Sequence, residues 1–214
     1  TLPLSPSTSG DWTPPTMDLI GVQLVVTHPG FPGGAGAFFG WFDVTVPTAP
    51  VWNAGNTTVH PLTAVPVAVA QYSSRAWFAV DNMLVFSDAL AATVVTNASQ
   101  VLTLGDNRDV TALAGFPLNS ALTGGITQAL IAFKGASIMY QITGDSATLD
   151  LAVNAFQTAT GTLAPNTIQQ TPKGLAFISP QGARLLTTQM QVSDPIGAAG
   201  TGVAVPFIYT VVPS

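Results

Sequence analysis

The acidic and histidine side chains are the residues of this sequence best suited to acid–base or metal chemistry, and they are few. The 214 residues include ten acids, all of them Asp, and two histidines. His28 and His60 are far apart in the chain, and no Asp near His60 completes a zinc-ligand spacing. His28 is followed by Pro29 and Gly30, so we interpret it as a turn residue. The absence of cysteine excludes disulfides, thiolate nucleophiles and thiolate-bound zinc.

Serine and carboxylate catalysis both find little support in the residues. The sequence contains no Gly-x-Ser-x-Gly motif that would form a nucleophile elbow. A glycosidase pair of carboxylates would have to consist of two Asp. However, Asp81, Asp88, Asp106 and Asp109 stand at predicted turns, where Asp is favoured because its side chain bonds the local backbone. We therefore predict no catalytic residue and no enzyme activity.

The segment 105–109, Gly-Asp-Asn-Arg-Asp, partly resembles a calcium-binding loop. The full EF-hand pattern ends in a bidentate Glu, and this sequence has no Glu. A turn capped by Asp is the simpler interpretation. We expect no metal, no cofactor and no small-molecule ligand.

The scarcity of charge is the most unusual property of the composition. Charged residues make up 7% of the chain, against about 25% in an average soluble domain. With 47% hydrophobic residues, the chain is too apolar to be disordered. Because a free monomer normally keeps a charged exterior, the composition favours an exterior that partner subunits cover. The alternative is a neutral surface rich in Ser, Thr, Asn and Gln.

The charge distribution argues against sequence-independent binding to nucleic acid. The formal net charge is −5, and the five cations are scattered along the chain: Arg75, Arg108, Lys134, Lys173 and Arg184. Sequence-independent binding to nucleic acid depends on clustered Lys and Arg, so none is expected. No apolar run of 18 residues is free of turn formers, which predicts no membrane-spanning helix.

Aromatic residues in the connecting segments are the candidates for subunit contacts. Trp52 lies in a predicted connector, and aromatic residues are enriched in protein interfaces. Phe31 and Phe38 flank a Gly-rich loop that we expect to order against a neighbour. Trp77 lies within a predicted hairpin and is assigned to the core. The predicted interface residues are therefore Trp52, Phe31 and Phe38.

Three predicted hairpins organise the chain. They combine the segments 76–80 with 83–86, 130–133 with 136–140, and 175–179 with 183–186. The first break, Asp81-Asn82, tolerates the positive φ angles of a type I′ turn. The break in the second hairpin contains Lys134-Gly135, and the break in the third contains residues 180–182. Because Val, Thr, Phe and Trp are frequent and Glu and Lys are rare, the sequence favours strands over helices.

The remaining segments are predicted to be outer strands and connections. Residues 1–17 are rich in Pro and predict an extended arm or linker, with one β domain at 18–214. Additional strands are predicted at 18–27, 38–46, 101–105, 110–113, 148–158 and 203–212. We expect 18–27 to be one strand buried on both faces, because it is nearly continuously apolar. Asp88 is a good N-cap for one helical turn at 88–92.

The hairpins recur at a spacing that indicates a repeat. Ala76, Leu130 and Leu175 mark their starts, at intervals of roughly 45 to 54 residues. Units of this size with several short strands are typical of β-propeller blades. At most four units are visible, so we expect a closed ring to need additional chain. A two-sheet β-sandwich is the alternative fold.

Four stretches share a pattern of apolar strand and turn residues: Arg75-Ala-Trp-Phe-Ala-Val80 with Val85-Phe-Ser-Asp88, Asp109-Val-Thr-Ala-Leu113, Leu130-Ile-Ala-Phe-Lys134 with Ser137-Ile-Met-Tyr-Gln-Ile-Thr143, and Gly174-Leu-Ala-Phe-Ile-Ser-Pro-Gln-Gly182. Over roughly residues 65–190 this pattern resembles the blade motif of a phage family. The family comprises the tail nozzle or hub proteins of short-tailed bacteriophages, also called packaged-DNA stabilisation proteins.

The resemblance implies a structural role in the virion. It implies a β-propeller subunit of a homo-oligomeric, hexameric ring that lies below the portal and its adaptor. Such a ring contacts portal-adaptor proteins and tail fibre or needle proteins. It helps to retain packaged double-stranded DNA and forms its exit channel, without sequence-specific binding. The family motif contributes no catalytic residue.

Two other function classes stay open at this point. A carbohydrate-binding or sugar-degrading phage tail module predicts a stable monomer with an exposed aromatic cleft. A jelly-roll capsid or decoration protein is similarly rich in Gly, Pro and Thr, and predicts no repeat of 45–54 residues.

Overall fold

The computed structural model describes residues 14–34, 36–45, 51–119, 126–158 and 160–196. Within these ranges the chain is almost entirely β, and its one helical element is the 3₁₀ turn Pro165–Thr167. The predicted all-β class is therefore confirmed. No helix among the described residues is long or apolar enough to span a membrane. Residues 1–13 of the predicted arm and the predicted strand at 203–212 lie outside the described residues.

Four antiparallel sheets follow one another along the chain. The first contains β1 (Thr16–Ile20), β2 (Gln23–Thr27), β3 (Phe39–Asp43) and β4 (Trp52–Gly55). A small parallel pair, β5 (Thr58–Val59) and β9 (Val94–Val95), lies outside the four sheets. The second sheet contains β6 (Ala68–Tyr72), β7 (Arg75–Val80), β8 (Met83–Phe86) and β10 (Val101–Thr103).

The third sheet contains β11 (Ala112–Asn119), β12 (Ile126–Lys134), β13 (Ile138–Asp145) and β14 (Asp150–Thr158). The fourth contains β15 (Gln169–Thr171), β16 (Gly174–Ser179) and β17 (Gly182–Thr187). In all four sheets, strands pair in the order in which they occur in the chain. Each sheet is thus an up-and-down meander, which is the construction of a propeller blade.

The three predicted hairpins are confirmed as β7–β8, β12–β13 and β16–β17. The predicted type I′ turn at Asp81-Asn82 is wrong, because only Asp81 has a positive φ, of 51°. A type I′ turn needs positive φ at both central residues. Ser73 and Ser74, with φ of 51° and 59°, meet that requirement in the turn between β6 and β7. The predicted helical turn at 88–92 is also wrong, since Asp88 pairs with Ala91 as an isolated β-bridge.

The segment 18–27 is not the single strand that its apolar sequence predicted. The chain reverses at Gly21, whose φ is 59°, and β1 and β2 pair as a hairpin with Leu19 opposite Leu24. Glycine suits this reversal because it adopts positive φ without steric cost. Only one face of β1 is covered: Ile20 is fully buried, whereas Met17 and Leu19 are exposed. The prediction of burial on both faces is therefore wrong for β1, whereas in β2 the consecutive residues Val25, Val26 and Thr27 are all buried.

The sheets pack face to face, with an apolar layer between each neighbouring pair. The layer between the first and second sheets includes Ile20, Val25, Phe39, Phe78 and Val80. The layer between the second and third includes Trp77, Leu84, Phe86, Leu130 and Ile142. The layer between the third and fourth includes Ile131, Phe133, Leu175, Phe177 and Leu186. Trp77 is fully buried, as expected.

Alternation along the central strands explains this stacking. Trp77 belongs to one layer and its neighbour Phe78 to the other, because successive side chains of a strand point to opposite faces. Leu130 and Ile131 are divided in the same way in the third sheet. Three apolar layers between four successive meanders match stacked blades more closely than a two-sheet sandwich, which has one such layer.

The first strands of the four sheets lie around one cavity of about 490 Å³. Hydrogen bonds connect the sheets at this inner end. The Gln71 N–H donates to Oδ2 of Asp18 at 2.6 Å, which joins β6 to β1. The side-chain amide of Gln170 donates to the Gly115 carbonyl at 2.6 Å, and that of Asn166 donates to the Pro14 carbonyl at 2.8 Å. The inner ends of the fourth and first sheets are therefore linked within this chain.

Candidate interface on the first sheet

One face of the first sheet packs against the second sheet, and the other is hereafter called the outer face. Strand register places the following side chains on the outer face: Met17, Leu19, Leu24, Val26, Phe42, Trp52 and Ala54. The only polar side-chain group among these residues is the Trp52 indole N–H, which is buried. A sheet face of this composition is normally covered, because apolar surface is costly to leave in water.

The loop that precedes β3 covers part of the outer face. Phe31 is 4% exposed and stacks on Trp52, with ring centroids 6.1 Å apart and planes 12° apart. Phe42 contacts the same indole at a centroid distance of 4.7 Å. The indole lies directly over Gly40, where an added Cβ would be 1.9 Å from its ring. Trp52 is thereby held between the sheet and Phe31.

Val26 is also buried, whereas the β1 part of the outer face is open: Met17 is 54% exposed and Leu19 48%. Val22 in the turn after β1 and Val44 just after β3 are 48% and 43% exposed. Leu24 in β2 lies opposite Phe42 in β3 on this face, and both side chains are only partly buried. Single exposed apolar residues are common on protein surfaces. A group of them on one face of a sheet instead marks an interaction surface.

The structure brings together two of the three aromatic residues that the sequence suggested for subunit contacts. Phe31 and Trp52 meet on the outer face, where Trp52 is half-buried. Phe38 lies elsewhere and packs against the layer between the first and second sheets. The sequence reading missed Met17 and Leu19, because a continuously apolar segment was expected to be buried on both faces. The turn-forming Gly21 was the signal that would have separated β1 from β2.

The fourth sheet has a comparable outer face, turned away from the third sheet. Register places Ala176 opposite Leu185, and Ile178 opposite Ala183, on this face. Ile178 is 39% exposed, and the other three side chains are partly buried. The remaining positions of the face are Gly or uncharged polar residues, so it also lacks charge. The first and last sheets of the stack therefore both end in an uncharged face, which is apolar in the first sheet and mixed apolar and polar in the fourth.

Four of the five cations are engaged within the chain. The Arg75 guanidinium donates to the Ser87 carbonyl at 2.7 Å, and that of Arg184 donates to the Ser193 carbonyl at 2.9 Å. Arg108 pairs with Asp106 at 2.5 Å, and Lys134 is fully buried. Lys173 is exposed to solvent. Arg108 and Lys134 both lie beside Asp106, whose carboxylate offsets part of their charge. The low affinity for nucleic acid stays a prediction from the charge distribution.

The loop at 105–109 is organised by a lysine. The Lys134 ammonium donates to the carbonyls of Leu104 and Asp106 and lies 3.2 Å from Oδ1 of Asp106. The ammonium thus binds the carbonyl and carboxylate oxygens that a calcium ion would bind in a metal loop. The Asp-capped turn is confirmed, because Oδ1 of Asp106 accepts the Arg108 N–H at 3.1 Å. Among the described residues, no three His or Asp side chains group as metal ligands.

Arg108 also shapes the electrostatics of this loop. Its hydrogen bonds hold the pKa of the Asp106 carboxyl well below its usual range, with a further contribution from Lys134. Asp106 in turn raises the pKa of the Arg108 guanidinium. His28 is confirmed as a turn residue: its Nδ1 accepts the Gly30 N–H at 2.8 Å, and its carbonyl accepts the Phe31 N–H at 3.0 Å. These contacts describe structural turns.

A scan against protein-family models finds no match for the chain, and a search of curated proteins finds no significant one. The resemblance to phage tail nozzle proteins therefore depends on the strand and turn motifs of this sequence alone. The candidate site is the outer face of the first sheet, with the outer face of the fourth sheet as its counterpart.

Proposed function

We propose that this chain is a structural, non-enzymatic virion protein that forms a ring subunit of a bacteriophage tail nozzle or hub. The open outer face of the first sheet carries the proposal. Leu19 and Met17 leave about half of their surfaces in water in a chain with 7% charged residues. A protein that works as a free monomer normally avoids such a surface. Coverage by neighbouring subunits removes this cost.

Two further observations support a tail ring over the other function classes. The four successive meanders suit the blade-like fold that the resemblance implies, whereas a jelly roll is built from Greek keys. Among the described residues, the large apolar side chains classed as exposed are all Met, Leu, Val or Ile. The aromatic side chains of the outer face, Phe42 and Trp52, are partly buried against each other, so they offer a sugar less surface than an open aromatic platform would.

In the proposed ring, portal-adaptor proteins and tail fibre or needle proteins are the neighbours. Double-stranded DNA passes through the ring without sequence-specific contact. The proposal needs no cofactor, metal or small-molecule ligand. The scattered, engaged cations suit a wall along which DNA slides, because a phosphate backbone binds tightly only to clustered positive charge.

Locating the chain in the native particle by cryo-electron microscopy tests the proposal. We expect a ring of copies on the tail axis, with the outer faces of the first sheets inside subunit contacts. Density for this chain on the capsid shell or at the tips of peripheral fibres would reject the tail-ring proposal. A binding assay with capsular or lipopolysaccharide sugars then tests the sugar-binding alternative.

A further inference from the structure

We propose that copies of this chain associate head to tail, with the outer face of the fourth sheet of one copy packed on the outer face of the first sheet of the next. This inference rests on the proposed function and identifies the surfaces that build the assembly. It assigns the interface to Leu19 and Met17 on one copy and to Ile178 and Leu185 on the other.

The two faces are not packed on each other within one chain. The bond from Asn166 to the Pro14 carbonyl links only the inner ends of the fourth and first sheets. Leu19 remains 48% exposed and Ile178 remains 39% exposed. Within the described part of the chain, Leu19 and Ile178 therefore keep surface that a second copy can contact.

The three internal layers show what kind of partner suits these faces. In each layer, the apolar face of one meander packs on the apolar face of the next, as Phe39 does on Phe78 at 4.8 Å and Phe133 on Phe177 at 5.3 Å. In stacked-repeat proteins, the terminal repeats need a polar outer face to end the stack. Here the outer face of the first sheet is apolar. The outer face of the fourth sheet combines Ile178 and Leu185 with uncharged polar residues such as Gln169 and Thr171, so neither terminal face carries a charge.

The composition of the two faces favours a copy of this chain over a charged partner. Register places no Asp, Lys or Arg on either face. The nearest carboxylate on β1, Asp18, lies on the opposite side of the sheet and accepts the Gln71 N–H. A nucleic acid or a charged peptide would find no complementary group there, whereas a second uncharged sheet face would leave no charge buried.

Head-to-tail association makes a prediction that association through identical surfaces does not. A heterologous interface uses two different patches, so a subunit disabled at one patch keeps the other intact. Leu19→Asp disables the outer face of the first sheet and leaves the outer face of the fourth sheet intact. Ile178→Asp does the reverse. Each substitution places a carboxylate at an exposed position, so we expect both variants to fold.

The experiment measures molar mass by size-exclusion chromatography with light scattering. We expect wild type to exceed its monomer mass of 21.9 kDa, and each variant alone to run as a monomer. An equimolar mixture of the two should form a heterodimer, through the intact fourth sheet of one variant and the intact first sheet of the other. Leu163→Asp, at a loop residue that is 66% exposed, is the matched control and should assemble like wild type. Circular dichroism verifies that all variants retain β structure.

Three outcomes would overturn the inference. If Ile178→Asp alone still assembles, the interface does not use the fourth sheet. If each variant alone is monomeric and the mixture of the two variants is monomeric as well, the interface is not heterologous. Both results leave the proposed tail ring standing. A monomeric wild type would overturn the inference and remove the main support for the ring, whereas an assembled wild type located on the capsid shell would reject the tail function alone.

Discussion

The ammonium of Lys134 lies 3.2 Å from a carboxylate oxygen of Asp106, and the lysine side chain is fully buried while the aspartate is about half exposed. The lysine ends β12 in the third sheet, and Asp106 lies in the loop that leads from the second sheet to the third. A buried ammonium is tolerated only where its donors are satisfied. The carbonyls of Leu104 and Asp106 accept these donors, so a single cation fixes the connection between two sheets.

Replacing Lys134 with Met should therefore destabilise the protein. The methionine fills a similar volume but leaves the carbonyl of the buried Leu104 without this donor, at a cost of about 1–3 kcal/mol for a buried acceptor. Urea unfolding, followed by tryptophan fluorescence, measures this loss. Lys173→Met is the matched control: Lys173 is exposed, so its loss should change stability by no more than about 0.5 kcal/mol. Equal stability of the two variants would contradict the role of Lys134.

The lowered pKa of the Asp106 carboxyl predicts that part of the stability of the protein is lost in acid. Its pKa in the folded protein is lowered, chiefly by the side-chain hydrogen bond from Arg108. A carboxyl of this kind stabilises the fold above its unfolded pKa of about 3.9, and that contribution disappears as the pH falls below this value. We expect the stability difference between wild type and Asp106→Asn to be larger at neutral pH than at pH values near 3.

Arg108→Gln supplies the control for this pH dependence. Without the guanidinium, the pKa of Asp106 should rise toward its ordinary value, and the acid-dependent difference from Asp106→Asn should shrink. Because both side chains are about half exposed, added salt should weaken the effect as well. A difference that is the same at neutral and acid pH would show that Asp106 does not titrate as described.

The contact between Gly40 and Trp52 predicts a strong coupling between two positions on the outer face. An added Cβ at Gly40 would be 1.9 Å from the indole, so Gly40→Ala must displace the ring and should cost about 1–3 kcal/mol. In a Trp52→Ala background the same substitution should cost much less, and a double-mutant cycle measures the difference. Gly34→Ala is the control, because its nearest neighbour would be 3.7 Å away. Additive effects would contradict the contact.

Tyr72 connects the second and third sheets, since its hydroxyl donates to the Gly144 carbonyl at 3.0 Å. Tyr72→Phe should cost about 0.5–1.5 kcal/mol near neutral pH. Burial, with a smaller effect from Asp145, raises the pKa of the Tyr72 hydroxyl. A raised pKa means that stability present below the unfolded value of about 10 is lost as the pH rises above it. The stability of wild type relative to Tyr72→Phe should therefore fall in alkali, and ultraviolet titration of the phenolate should assign Tyr72 a midpoint above about 10.

The local pattern of apolar and turn-forming residues was sufficient to predict the hairpins. Apolar segments on either side of Asp81-Asn82, or before and after residues 180–181, predicted β7–β8 and β16–β17 because strand pairing across a short turn depends on neighbouring residues. The spacing of these hairpins indicated repeated blade-like units for the same reason. The all-β class followed from composition, since few residues of the chain favour helices.

The types of the turns and the limits of the strands were harder to predict from the sequence. Ser73-Ser74 forms the turn with two positive φ angles, although Asp81-Asn82 has the more favourable residue types. Backbone twist and the packing of both adjoining strands decide between such turns. In the same way, Gly21 divides an apolar run into β1 and β2, and only one face of the resulting hairpin receives a neighbouring sheet.

Composition and short-range pattern therefore determined that this chain forms paired strands, and approximately where each pair turns. Only the tertiary structure decided which apolar side chains are covered, and thus that Met17 and Leu19 remain open while Lys134 is buried. The physical reason is that pairing within a hairpin is a local property of the backbone. Burial instead depends on which distant segment packs on a given face, and a sequence specifies that only through the whole fold.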